Sequence, residues 1–316
     1  MTTTIPAAAT REALGPTLVR LQQQGADIVV LDADLGKSTS ARLFFDAFPD
    51  RFLRFGVAEQ NMISAAGGLA TMGYTVFAST FAVFAEHAFD QLRMSVAQPR
   101  LNVKIVASHG GVSTGEDGAS AQSIEDFALF SSLVNFTVCV PADVVEAQAM
   151  VEAAVVNPGP WYIRTGRPKI PVIYTDGPRF QVGKADMLRD GTDVTIVACG
   201  LLVERSLRAA EALARSGVFT RVLNMGTIRP LDVAALEAAA RDTGAIVVAE
   251  EHLVHSGLGA MCAQAIAAAT TPVPMEFVGV QNRYGESGTW DEVLTIMGLT
   301  ADGVEQAVHR VLARKR

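Results

Sequence analysis

The sequence predicts an α/β protein: a doubly wound, mostly parallel sheet followed by a second, smaller α/β domain. Three observations carry this. Strand-like and helix-like runs alternate along the chain. Most strand-like runs are too uniformly apolar to be half exposed, which suits a parallel sheet covered on both faces. A stretch rich in Pro and Gly, IPVIYTDGPRFQVGKAD (170–186), interrupts the alternation, which then restarts. The expected boundaries are a first domain over 1–172, a linker over 173–189 and a second domain over 190–316.

In chain order, DIVVLDAD (27–34), TVFAST (75–80), NVKIVAS (102–108), FTVCVPA (136–142) and PWYIRTG (160–166) read as strands, rich in β-branched and aromatic residues. DVVEAQAMVEAAVV (143–156) reads as a helix between the last two. After the break come strands DVTIVACG (193–200), TRVLNMG (220–226), AIVVAEE (245–251) and MEFVGV (275–280). Helices from about Glu204 to Arg215, Val233 to Arg241 and Gly259 to Ala269 separate them.

Composition narrows the function classes. With 316 residues, 49% hydrophobic and 19% charged, the chain can bury a large core and is not expected to be disordered. A net charge of -7 argues against general nucleic-acid binding but leaves room for a local cationic pocket. Cys139, Cys199 and Cys262 are far apart and form no CxxC pair, so buried thiols in a reducing cytosol are expected. No uninterrupted apolar run reaches the length of a membrane span, and MTTTIPAAATREAL lacks the pattern of a secretory signal. A cytoplasmic location is therefore expected.

Ligands of open α/β sheets bind outside the carboxyl ends of the strands. Asp34 and Ser38 follow the first strand there, Phe81 and Phe84 follow TVFAST, and Arg164 ends PWYIR. The loop HGGVSTGEDGAS (109–120) after NVKIVAS carries His109, Glu116, Asp117 and four glycines. Taken singly, each has a plain reading as a turn, a structural His or a solvent-facing Arg. Phe81, Phe84 and His87 are three apart, which on periodicity alone favours core packing over a slot for a flat heterocycle. The glycines form neither GxGxxG nor GxxxxGK[ST], HExxH is absent, and the histidines lack metal spacing. No metal site is expected in this chain.

Together these residues resemble the C-terminal half of transketolase. The stretches that carry the resemblance are LDADLGKS, RFGVAEQNM, STFAVFAEHAFDQLR, HGGVSTGEDGAS and PADVVEAQAM, then NMGTIRPLD, AEEHLVHSGLG and RYGESG. The resemblance implies the thiamine diphosphate-binding fold, with a pyrimidine-binding domain followed by the family's C-terminal domain. It implies that Glu59 bonds N1' of the cofactor's aminopyrimidine and that Phe81 and Phe84 pack around that ring. His87 would occupy a further pocket position, and Asp34 would lie near the pyrimidine and the subunit interface. Asp117 and His109 would act on the sugar, with Arg11, Ser38, His109 and Arg164 at its phosphate end. The resemblance also implies that Glu59 exchanges a proton with the pyrimidine. It opens an apolar helix, whose dipole favours a charged carboxylate at this end by about 0.3–1 kcal/mol.

One half of such a site is missing. The GDG motif that holds diphosphate and Mg²⁺ through hard oxygen ligands in these families is absent, and TDG at 175–177 lies in the linker. The resemblance therefore implies the beta-type subunit of a split transketolase. An alpha-type partner would supply the diphosphate and Mg²⁺ site, in an α2β2 heterotetramer. The implied reaction moves a two-carbon ketol group from a ketose to an aldose. Ala121 stands where many transketolases carry a His facing the sugar, which leaves room for an atypical substrate. The beta subunit of a 2-oxo acid dehydrogenase, a 1-deoxyxylulose-5-phosphate synthase fragment and a non-catalytic regulatory subunit are the alternatives. The HGG…GEDG loop and the phosphate-end set favour a sugar. His252 and His255 are given no catalytic role.

Overall fold

The computed structural model describes residues 6–177 and 179–315. In the first unit β1 (Ala7–Ala9) leads into α1 (Leu14–Gln23), β2 (Ile28–Asp32), α2 (Arg42–Ala47) and β3 (Phe52–Arg54). α3 (Glu59–Thr71), β4 (Thr75–Phe81), α4 (Ala82–Glu86), α5 (Phe89–Leu92) and β5 (Val103–Ser108) follow. α6 (Asp126–Ser132), β6 (Thr137–Cys139), α7 (Val144–Val156), β7 (Trp161–Arg164) and β8 (Lys169–Pro171) complete it. β2, β5 and β7 are buried along their whole length, as their unbroken apolar sequences require in a doubly covered sheet. The pairs β6–β7, β7–β5, β5–β4, β4–β2 and β2–β3 are all parallel.

The second unit runs β9 (Asp186–Arg189), β10 (Val194–Ala198), α8 (Leu202–Arg215), β11 (Thr220–Asn224), β12 (Thr227–Arg229) and α9 (Val233–Thr243). It ends with β13 (Ile246–Leu253), α10 (Leu258–Ala268), β14 (Met275–Val280), α11 (Trp290–Ile296) and α12 (Ala301–Leu312). Its sheet has the order β14-β13-β10-β11-β9, parallel except for β9. β9 lies inside the stretch expected to be a linker. Its burial alternates little and it hangs on one edge of β11, which is why sequence periodicity does not announce it.

The two units are interlocked. β12 belongs by sequence to the second unit but pairs antiparallel with β6, as Thr227↔Cys139 and Arg229↔Val138, and becomes the edge strand of the first, seven-stranded sheet. Asp143 caps α7 by accepting the Glu146 N–H at 2.8 Å, and its other oxygen accepts the Ile173 and Tyr174 N–H groups at 2.6 and 2.8 Å. Both carboxylate oxygens of buried Glu146 accept from Asn224 Nδ2 of the opposite unit, at 2.9 and 3.0 Å.

Candidate active site

β4 and β5 end side by side, with Phe81 paired in register to Ser108. Their C-terminal residues therefore meet. The Phe81 ring stacks on the His109 imidazole with centroids 3.7 Å apart, and lies nearly parallel to Phe84 at 5.6 Å. Phe84 in turn tilts against His87 at 5.8 Å. The spacing that by itself favours core packing thus makes a stack at the sheet edge, half-buried at Phe84 and exposed at His87.

Glu59 is the first residue of α3 and is buried, with 6% exposure. Among the described residues its carboxylate has no hydrogen-bond or ion-pair partner. The neighbouring Gln60 Nε2 donates to the His87 carbonyl at 3.0 Å, which ties the start of α3 to the aromatic segment. Further along α3, a Cβ on Gly67 would sit 2.6 Å from the Ser95 carbonyl oxygen, so the helix packs there at backbone distance.

His109 is the junction between the aromatic stack and a cationic cleft. Its backbone takes φ 60°, the left-handed region. Burial first, then the Arg11 and Arg167 charges, push its pKa down to about 3, so the ring is neutral at neutral pH. Arg11 Nη1 lies 3.4 Å from Nε2 and can only donate. Nε2 is therefore the acceptor, and the Nδ1 proton is assigned to the Ser108 hydroxyl at 2.8 Å. Arg11 Nη1 also donates to the Ser38 carbonyl at 2.9 Å, which brings the β2 loop to the same point. Burial, then the nearby Arg167, lower the Arg11 pKa. A cleft of 310 Å³ opens here, lined by Arg11, Ser113, Glu116, Arg167, Lys169 and Trp290.

Asp117 lies exposed on the glycine-rich loop, 3.5 Å from Arg167 Nη1, which also meets Glu116 at 2.9 Å and the Thr114 carbonyl at 2.6 Å. Arg11, Ser38, His109 and Asp117 therefore converge. Asp34 lines a separate pocket of 190 Å³ with Lys37, Arg42 and Arg54, next to the strand that leads toward Glu59. Among the described residues no three His, Cys, Asp or Glu side chains cluster as metal ligands.

Arg164 is placed differently from these groups. Its guanidinium is 4% exposed, pairs with buried Asp126 at 3.3 Å, and donates to the Ser123 and Glu251 carbonyls at 3.1 and 2.9 Å. It also lies 4.5 Å above the Phe127 ring. With Nε and Nη2 held in this way, Arg164 supports the loop from beneath. Arg167, three residues on and beyond the end of β7, is the cation that reaches the cleft. The available signal was position: a strand's last residue is still inside the sheet, and the charge that leaves it lies past the end.

The model for the transketolase pyrimidine-binding domain matches residues 6–172, and that for the transketolase C-terminal domain matches residues 183–304. A protein of Methanocaldococcus jannaschii described as a transketolase C-terminal section is 39% identical over 94% of both chains. A 6-deoxy-6-sulfo-D-fructose transketolase subunit of a Clostridium species is 39% identical over 94% of this chain and 92% of its own. Human transketolase is 38% identical over 97% of this chain, which spans only 49% of it. Among solved structures, one described as a split gene transketolase in an inactive beta4 tetramer is 47% identical. It superposes with a TM-score of 0.91 over 98% of this chain and 99% of its own.

Proposed function

This chain belongs to the transketolase family, and on that premise we propose that it is one subunit of a split, thiamine diphosphate-dependent transketolase. It would hold the pyrimidine end of the cofactor and the sugar. A separate alpha-type chain would hold the diphosphate and Mg²⁺, in an α2β2 assembly, and the reaction would be ketol transfer from a ketose to an aldose in the cytoplasm. The observation that carries the reading is the convergence of two half-sites: an aromatic stack tied through Gln60 to the helix that a buried Glu59 begins, and a cationic cleft joined to that stack through His109.

The residues fit the pyrimidine end of the cofactor. Glu59 is a buried acidic residue at the first position of α3, which suits a heterocyclic nitrogen that shares a proton with it. Phe81, Phe84 and His87 offer ring surface beside it. When bound, thiamine diphosphate supplies the electron sink for carbon–carbon bond cleavage. This chain's own work is then to hold or release a proton at Glu59, to orient the sugar through Asp117 and His109, and to fix its far end. Arg11 and Arg167 suit an oxyanion there, and neutral His109 acts as a hydrogen-bonding group between them.

A phosphate and a sulfonate present similar oxygens to such a cleft. The sulfosugar relative and Ala121, which puts only a methyl group just past the end of the substrate loop, support a sugar with either terminal anion. The inactive tetramer of the 47% identical structure supports self-association of this chain when no alpha-type chain is present. The test is to mix this chain with a GDG-bearing partner, thiamine diphosphate and Mg²⁺, and to assay a panel of phosphorylated, sulfonated and neutral ketoses. Activity only on mixing is expected. Full activity and tight cofactor binding by this chain alone would overturn the proposal.

A further inference from the structure

The second unit grips the substrate loop from both sides. Glu251, near the C-terminal end of β13, is 7% exposed, and its carboxylate accepts the backbone N–H of Ser113. It reaches that position because Gly111 (φ 79°) has no side chain: a Cβ there would lie 2.3 Å from the Glu251 Cδ and 2.6 Å from Arg164 Nη2. Arg164 Nη2 donates to the Glu251 backbone carbonyl at 2.9 Å and so ties this strand to the first sheet. From the other side comes the segment before α11. A Cβ on Gly118 (φ 76°) would lie 2.4 Å from Ser287 Oγ, and one on Gly115 would lie 3.1 Å from the Trp290 nitrogen. Gln122 Nε2 donates to the Glu286 carbonyl at 2.9 Å and to the Val112 carbonyl at 3.2 Å.

The grip lies between the two substrate-facing residues. His109 starts the loop and Asp117 is near its tip, with Ser113 midway between them. Thr114 Oγ1 closes the intervening turn on the His109 carbonyl at 2.7 Å and the Gly111 carbonyl at 3.2 Å. A loop with this many glycines is costly to order from its own sequence, because glycine loses the most backbone freedom. Contacts from outside the loop must therefore fix it. They land on its backbone, at the glycines and at the Ser113 N–H, where they determine the path of the chain. Trp290 brings the same segment to the wall of the cationic cleft.

We propose that Glu251 and the segment 285–290 are positioning elements of the active site, holding the loop so that His109 and Asp117 are preset for the sugar. The proposal rests on the transketolase reading for its kinetic consequence but not for its structural one. Two measurements separate these. In the isolated chain, Glu251→Ala should speed hydrogen exchange at the amides of 111–118 by about tenfold or more, because an unpartnered buried N–H opens readily. Glu251→Gln retains an acceptor and should stay near wild type, and Gln122→Ala should shift the same amides less. In the assembled enzyme, Glu251→Ala should raise the ketose KM by about tenfold while the apparent thiamine diphosphate affinity changes less than about threefold, with rescue by Glu251→Gln. Unchanged exchange over 111–118 would overturn the proposal. So would exchange that quickens equally through β13 and β14, which marks a merely structural residue. A wild-type mixture without ketol transfer would refute the functional reading alone, since the exchange measurement would still decide the grip.

Discussion

Replacing Arg167 and Arg164 separately tests which guanidinium meets the substrate. Arg167 keeps 33% of its side chain exposed and reaches the cleft, where its Nη1 is shared among Thr114, Glu116 and Asp117. A hydrogen bond to a charged partner contributes roughly 1.5–3 kcal/mol net. Partial solvent screening and release from Glu116 place Arg167 in the lower half of that range. At about 2 kcal/mol, Arg167→Ala should raise the KM of a phosphorylated ketose by about 30-fold. The same ketose without its phosphate should change little. The exposed ion pairs of Arg167 contribute at most about 1 kcal/mol, so the melting temperature should barely move. Arg164→Ala should behave in the opposite way. It leaves Asp126, which is fully buried, without its cation, at a cost of roughly 3–5 kcal/mol of stability. The assay is steady-state kinetics of the mixed subunits with paired phosphorylated and neutral ketoses, alongside thermal unfolding of each variant. The reasoning is refuted if Arg167→Ala affects both ketoses equally, or if Arg164→Ala raises KM at unchanged melting temperature.

Other expectations follow from single groups. Glu59→Gln should lower turnover by about 10²–10⁴-fold while the partner still co-purifies, and retained turnover would remove Glu59 from proton transfer. Burial raises the Glu146 pKa from 4.5 to about 7, so between those values the folded state holds more protons than the unfolded one. Its stabilising contribution is full below about pH 4.5 and is lost as pH rises through 7, by a total on the order of 3 kcal/mol. The urea midpoint of wild type should therefore fall relative to Glu146→Gln between pH 5 and 8, and parallel profiles would contradict this. The ring protons of His109 should not titrate over the same range in NMR spectra of the free chain. Inorganic phosphate placed between Arg11 and Arg167 should raise its pKa by offsetting their charge. A midpoint near the ordinary His value without phosphate would disprove the neutral assignment.

The parts of the fold that sequence made legible are those where one segment determines its own state. The strands β2, β4, β5, β7 and β10 are buried on both faces and so read as continuous apolar runs. The α7 helix carries its cap, Asp143, at the expected start. β9 and β12 were not legible, because each exists only through a neighbour distant in sequence, β11 and β6. The site divides in the same way. Glu59, Phe81, Phe84, His109 and Asp117 lie at element ends that the chain's own pattern marks. Arg164 and Arg167 are both basic and three apart, and only the third dimension separates the one under the loop from the one in the cleft. The grip of Glu251 on Ser113 joins residues too far apart for any periodicity to report.

The pairing of β12 with β6 limits how this protein can move. In many two-domain enzymes the domains swing about their connection to admit substrate. Here such a swing would have to break the Thr227 and Arg229 pairings and leave their backbone donors and acceptors unpaired. Opening between the two units that carried β12 along would cost these pairings. Under the proposed function, entry and release of the sugar would then fall to small displacements of side chains around the cleft, such as Arg167 leaving Glu116, and to the fit between this chain and an alpha-type partner.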